Sequence, residues 1–316
     1  IIAGLQRPTN GNVSVPKDTK EIWLDRDGKY SLKDPKLEPN SSNRKTDQGS
    51  AYNYIKNDHE DINNGVVFHA WNWSFDEITK NLKAIKDAGY TAVQTSPVQP
   101  TKEYTDRASN WWLLYQPMDF KVGNLLGTRN EFKKMVSTAK DSGIHVIVDV
   151  VLNHLANENG GDLSCTPHSK IPTHLQKPEF WKSNKCIGNW NDRNEITQNG
   201  IGLPDLNTSN KDLQKIIISF LKDMESMGVS GFRFDAAKHI ELPNDSAAKS
   251  DFWLNILSAL NKDTYVYGEV LQGDGDEITK YAQLLDVTAS RYGEKLRHAM
   301  SKKSVHNLVD YDVNGL

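Results

Sequence analysis

Three short stretches of the 316-residue chain each set an acid among apolar residues: Asp149-Val150-Val151-Leu152-Asn153-His154, Gly231-Phe232-Arg233-Phe234-Asp235 and Tyr267-Gly268-Glu269-Val270. In an extended strand, residues two apart share a face, so Arg233 and Asp235 stand on one side. The spacing predicts that the guanidinium holds the Asp235 carboxylate ionised at neutral pH. Glu269 has no basic neighbour along the chain, which predicts a carboxyl that keeps its proton more readily. One ionised and one protonated carboxyl on neighbouring strands is what hydrolysis of a glycosidic bond requires, and the two lie about 5 to 5.5 Å apart when configuration is retained. A single acid of this kind would as readily pair with an arginine or cap a helix. Three on successive strands point to chemistry.

Such acids need elements that carry them to one end of a sheet. From Gly65 onward, short β-rich runs alternate with amphipathic stretches. The predicted strands are Val66 to His69, Ala92 to Thr95, Ile144 to Val151, Gly231 to Asp235, Tyr265 to Glu269 and Leu284 to Thr288. The predicted helices are Phe75 to Ala88, Arg129 to Ser142, Asp212 to Met227 and Ala247 to Asn261, the first three followed by Gly89, Gly143 and Gly228 where a left-handed cap is wanted. Strict strand-helix alternation without a G-x-G-x-x-G after the first strand predicts an α/β fold of the (β/α)8 TIM-barrel type rather than an open doubly wound sheet. Six strands leave that barrel incomplete. In such a barrel the catalytic groups sit at the C-terminal ends of the strands, where the three acids fall.

The stretch 155–208 is far longer than an ordinary βα loop and is expected to be an inserted irregular domain. That divides the chain into a polar linker or tail of a preceding module (1–64), a first part of the barrel (65–154), the insertion (155–208) and a continuation of the barrel (209–316). Lys plus Arg number 38 against 41 Asp plus Glu, a formal net charge of -3, so nothing equips the chain to neutralise nucleic acid or an anionic membrane. No apolar run approaches the roughly 20 residues of a membrane span. The two cysteines, Cys165 and Cys186, are either one local disulfide or two free thiols.

The three strand ends, in order, together with Leu203-Pro204-Asp205-Leu206-Asn207, resemble the motifs of the α-amylase family of glycoside hydrolases, most closely its secreted bacterial members. His69-Ala70-Trp71-Asn72-Trp73, Gln94-Thr95-Ser96-Pro97 and Trp111 to Pro117 extend the likeness. The resemblance implies endo-acting cleavage of α-1,4-glucosidic bonds in starch or maltooligosaccharides by an extracellular enzyme. It implies Asp235 as nucleophile, Glu269 as general acid/base and Arg233 as the residue that orients the nucleophile. Tyr115, Gln116 and His154 would line the subsite of cleavage, and Lys238 and His239 the leaving-group side. Trp111 and Trp112 would offer further platforms, one of the two being expected to pack instead.

The same resemblance implies a structural Ca²⁺ held by the side chains of Asn153 and Asp205 and the carbonyls of His239 and Thr197; otherwise Asn153 and Asp205 cap local turns. The family's third carboxylate, in an Asn-His-Asp or Ser-His-Asp motif after the seventh strand, has no counterpart here, and neither Asp310 nor Asp312 has the adjoining His. The remainder of the catalytic domain is therefore expected C-terminal to this chain. A transglycosylase or maltooligosaccharide-forming relative shares these residues, and a non-catalytic glucan-binding remnant is the alternative from another class.

Overall fold

The structure, a computed structural model, describes residues 65–102, 110–158, 164–246, 248–271 and 277–289, with a few further positions outside those runs. Among the described residues six parallel strands follow one another in chain and in space: β1 (Val67–Ala70), β2 (Ala92–Thr95), β3 (His145–Val151), β4 (Gly231–Asp235), β5 (Tyr265–Gly268) and β6 (Asp286–Val287). The crossovers carry α1 (Phe75–Asp87), α2 (Arg129–Asp141), α3 (Arg193–Gln198), α4 (Lys211–Met227), α5 (Phe252–Ala259) and α6 (Ile278–Tyr281). A sheet whose spatial order equals its chain order, with a helix in every crossover, is the winding of a (β/α)8 barrel, and six of its eight strands are here. Two short strands, Trp23–Leu24 and Tyr30–Ser31, pair antiparallel in a separate sheet. The rest of 1–64 lies almost wholly outside the described residues, as do Asp310 and Asp312.

The helices begin where side chains satisfy their first N–H groups. Ser74 with Glu77, and Thr128 with Glu131, form reciprocal capping boxes on α1 and α2. The left-handed turns expected at Gly89, Gly143 and Gly228 are present, with φ of 89°, 67° and 102°. Two predicted elements shrink. The chain before α5 is a loop rather than helix because Asp245 accepts from the Leu242 amide and binds Arg193, fixing that segment. Leu284 and Leu285 donate backward to the Tyr281 carbonyl in a turn after α6, which leaves β6 only two residues.

The two faces of the sheet differ. Val146, Val148, Val150, Phe232 and Phe234 point to the helix layer and join Phe75, Phe132 and Trp253 in one continuous buried core, where each large side chain contributes on the order of 1.5–3 kcal/mol. The inner face holds a small apolar cluster of Ile62, Ala92, Ile147 and Tyr267. Above it the register places Asp149 opposite Arg233 and Arg233 opposite Tyr267, so an ionic row crosses β3, β4 and β5. Gly231 allows the crossing: a Cβ there would lie 2.6 Å from the Tyr265 carbonyl oxygen.

Candidate active site

The alternation of β4 aims Arg233 and Asp235 at the inner face, and parallel register brings Asp149 of β3 beside them. Arg233 Nη1 donates to Asp235 Oδ1 at 2.7 Å and to Asp149 Oδ1 and Oδ2 at 2.8 and 3.0 Å. Its Nη2 lies 3.1 Å from Glu269 Oε2. One planar guanidinium thus orients three carboxylates, a task suited to the fork geometry of arginine. Glu269, just beyond β5, accepts from the Ala236 amide at 3.2 Å. That amide is aimed by an unusual backbone: Ala236 has φ 49° and ψ 33°, a left-handed conformation costly for a residue with a Cβ and of the kind found at functional sites.

Two expectations change here. Glu269 does have a basic neighbour, the same Arg233, which the fold supplies from the adjacent strand. Arg233 does pair with Asp235, yet burial, opposed by Arg233 and reinforced by the charges of Asp149 and Glu269, pushes the Asp235 carboxyl up to about 7. Burial also raises Asp149. The physical reason is the count: one guanidinium faces three acids away from bulk water. Glu269 is the most open of them, its side chain 29% exposed against 11% for Asp235.

A cleft of about 360 Å³ is lined by Tyr115, His154, Trp190, Asp235, Lys238, His239 and Glu269, among others. Tyr115 donates its hydroxyl to Asp149 Oδ2 at 2.9 Å, and burial pushes that phenol far above its usual range. His154 Nε2 meets the Tyr115 carbonyl at 3.0 Å; this makes Nε2 the donor and leaves Nδ1, which has no protein partner, as an acceptor. Burial lowers His154 to about 4 and His239 to about 3, so both rings are neutral at pH 7. The Lys238 carbonyl is gripped by Arg193 Nη1 at 2.6 Å, while Arg193 also forks onto Asp245. Gln116 is half-buried with Oε1 unpartnered, and it stands outside the lining of the cleft.

Of the adjacent tryptophans, Trp111 is 44% exposed, whereas Trp112 is partly buried under Lys102 Nζ, 5.7 Å from its centroid. Two aromatic residues had no role assigned from sequence. Trp71, 41% exposed, stacks on Tyr115 with centroids 5.8 Å apart and contacts Trp111 at 5.2 Å. Trp190, 51% exposed, lines the cleft beside Lys238 and His239. Their signal was the exposure of a large aromatic side chain, which only tertiary structure reveals.

A model of the family described as "Alpha amylase, catalytic domain" matches residues 73–308. The chain belongs to the α-amylase family. An α-amylase of Clostridium acetobutylicum is 43% identical over 256 residues, covering 78% of this chain and 33% of that protein. An α-amylase of Butyrivibrio fibrisolvens is 37% identical over 283 residues, covering 80% and 29%. The chain therefore spans about a third of the length of these curated relatives. The solved structure of α-amylase I from Eisenia fetida in complex with maltohexaose aligns with a TM-score of 0.67 at 26% identity, covering 78% of this chain and 54% of that one. The six-stranded sheet is accordingly the larger part of an amylase-type barrel.

The stretch 155–208 returns to the barrel through the bridge His154↔Asp205, and a second bridge, Trp181↔Leu206, closes within the stretch itself. It is tied within itself by a Cys165–Cys186 disulfide, which settles the choice between a bridge and free thiols. Asn153 and Asp205 meet at this junction, both fully buried. Neither oxygen of Asp205 nor either polar atom of the Asn153 amide has a well-aligned hydrogen bond, although the amide lies close enough to help hold the charge of Asp205. Burial raises Asp205 to about 7. Orphaned hard oxygens of this kind fit a calcium ion, which takes roughly 6 to 8 of them. No group of three His, Cys, Asp or Glu able to hold a metal occurs among the described residues. The Thr197 carbonyl accepts from the ammonium of Lys182 and from Gln198 Nε2.

Proposed function

We propose that the intact protein cleaves internal α-1,4-glucosidic bonds of starch and related glucans with retention of configuration. Asp235 and Glu269, gripped by one guanidinium at the cleft that Tyr115 and His154 also line, carry this reading. In the first step an Asp235 oxygen attacks the anomeric carbon while Glu269 gives its proton to the departing glycosidic oxygen, leaving a glycosyl ester. Glu269, now a carboxylate, takes a proton from water, whose oxygen attacks the same carbon and releases Asp235. Arg233 opposes the burial of Asp235 and so sets the fraction of nucleophile that is charged.

Tyr115 stacks on the reacting sugar, neutral His154 accepts from a sugar hydroxyl, and Gln116 bonds beside it. Lys238 and His239 serve the leaving-group side with Trp190, and Trp111 and Trp112 extend the surface toward further glucose units. The stretch 155–208 is read as the inserted domain. The seventh and eighth strands with the third carboxylate are read as C-terminal to these residues, a view supported by the length of the relatives. A Ca²⁺ on Asn153, Asp205 and the His239 carbonyl would fasten insertion to barrel and take no part in bond cleavage. Starch is too large to enter a cell unaided, which places the enzyme outside it.

Replacement Asp235→Ala in the intact protein is expected to lower turnover of soluble starch by at least about 10⁴-fold, with the α-anomer released first by the unaltered enzyme. Undiminished release of reducing sugar, or a β-anomeric first product, overturns the assignment.

A further inference from the structure

One buried charge has no part in the chemistry above. Lys182 is only 5% exposed, and its ammonium lies 3.0 Å from Asp205 Oδ2 and 2.8 Å from Glu241 Oε1. It also donates to the Thr197 carbonyl. Of the three N–H donors of an ammonium, one is bonded to that carbonyl, and the two carboxylates lie within ion-pair distance. Those oxygens come from three segments: Thr197 from α3, Asp205 from the end of the 155–208 stretch, and Glu241 from the loop after β4. Glu241 is held in turn by Thr208 Oγ1 at 2.5 Å and Gln198 Nε2 at 2.8 Å.

Joining distant segments through their oxygens is the work of a structural cation, and one of the oxygens, that of Asp205, is among those a calcium ion would use. The cradle nevertheless keeps Asn153 Oδ1 and Asp205 Oδ1 unpartnered, side by side with the lysine. Two carboxylates share this single ammonium.

We propose that Lys182 is an internal cation that fastens the 155–208 stretch to the barrel without metal, through Glu241, and competes with Ca²⁺ for Asp205. The competition rests on the calcium reading given above. Calcium then binds the unaltered protein weakly, on the oxygens that Lys182 leaves, and the junction holds when it is removed. Taking away the ammonium frees Asp205 Oδ2 and removes a positive charge beside the ion, which strengthens calcium binding.

The test is calcium titration by calorimetry on the intact protein and its Lys182→Met variant, with melting followed in EDTA and in CaCl₂. Expected are calcium binding at least about ten-fold tighter in the variant and a Tm of the unaltered protein that moves by less than about 2 °C on chelation. The variant is expected to melt lower in EDTA and to recover with calcium. Equal calcium affinity in the two proteins overturns the competition and leaves the calcium site standing. Binding by neither overturns the calcium reading, and the competition with it. If Lys182→Met does not fold, the unaltered protein still decides: a fall of more than about 5 °C in EDTA means that metal, not Lys182, holds the junction.

Discussion

Two buried ionic clusters lie close together in this molecule and solve the same problem differently. At the barrel mouth Arg233 faces Asp149, Asp235 and Glu269. At the junction with the 155–208 stretch Lys182 faces Asp205 and Glu241. Both have more acid than base and both push an aspartate up to about 7 by burial. They differ in the cation. The guanidinium is a rigid fork that fixes the relative positions of three carboxylates, as chemistry on a single bond demands; the ammonium is a point charge that neutralises and ties but does not orient. They differ also in access, since Glu269 opens to a cleft while Asp205 and Glu241 are sealed. Excess negative charge beside a cleft serves proton transfer. The same excess in a closed junction is met by a single ammonium.

The strongest way to break this contrast is to remove the fork. Arg233→Leu leaves three buried carboxylates without their cation and is expected to destabilise the protein by about 3–5 kcal/mol, measured by urea unfolding. Arg233→Lys should keep most of that stability yet lose about 10²-fold or more in kcat, because charge remains and orientation does not. Equal activity of the lysine form would show that orientation by the fork is unimportant.

A smaller effect is expected from the disulfide. Cys165→Ser opens a bridge between residues 21 apart and should cost about 3 kcal/mol. The loss should appear in the melting of the 155–208 side, read by hydrogen exchange, while exchange around β3 to β5 stays unchanged. Uniform loosening of both regions would mean that the two clusters are one cooperative unit.

Protonation separates the clusters next. Because Asp235 is raised from 3.8 to about 7, its contribution to stability is present below pH 3.8 and disappears as pH rises through about 7. Asp235→Asn is neutral throughout, so its Tm relative to the unaltered protein should climb from pH 4 to pH 8. A flat difference across that range would contradict the burial argument. The smallest expected effect is at the rim: Trp190→Ala should raise KM for maltooligosaccharides by roughly three- to ten-fold, with kcat little changed. A drop in kcat alone would place Trp190 in the chemical step instead.

Much of this was legible in the residues. Period-two alternation in Gly231–Asp235 puts Arg233 and Asp235 on one face, and glycines after α1, α2 and α4 mark where those helices stop. The elements read worst were those decided by distant partners: α5 starts late because Asp245 is bound by Arg193, 52 residues earlier, and β6 is short because α6 turns directly into it. The exposed platforms Trp71 and Trp190 were invisible for a similar reason, since a tryptophan in sequence carries no mark of which way it faces.

The chain order of its strands, their faces and the identity of the acids at their ends belong to the sequence, because alternation and capping are local and a parallel sheet with helical crossovers can wind in few ways. What the acids face belongs to tertiary structure. Glu269 has no basic residue near it along the chain and an arginine 3.1 Å away in space. Lys182, unremarkable among the polar residues of a long insertion, becomes the cation of a sealed junction. Charge interactions depend on distance and dielectric, and both are set only when separate segments of the chain meet.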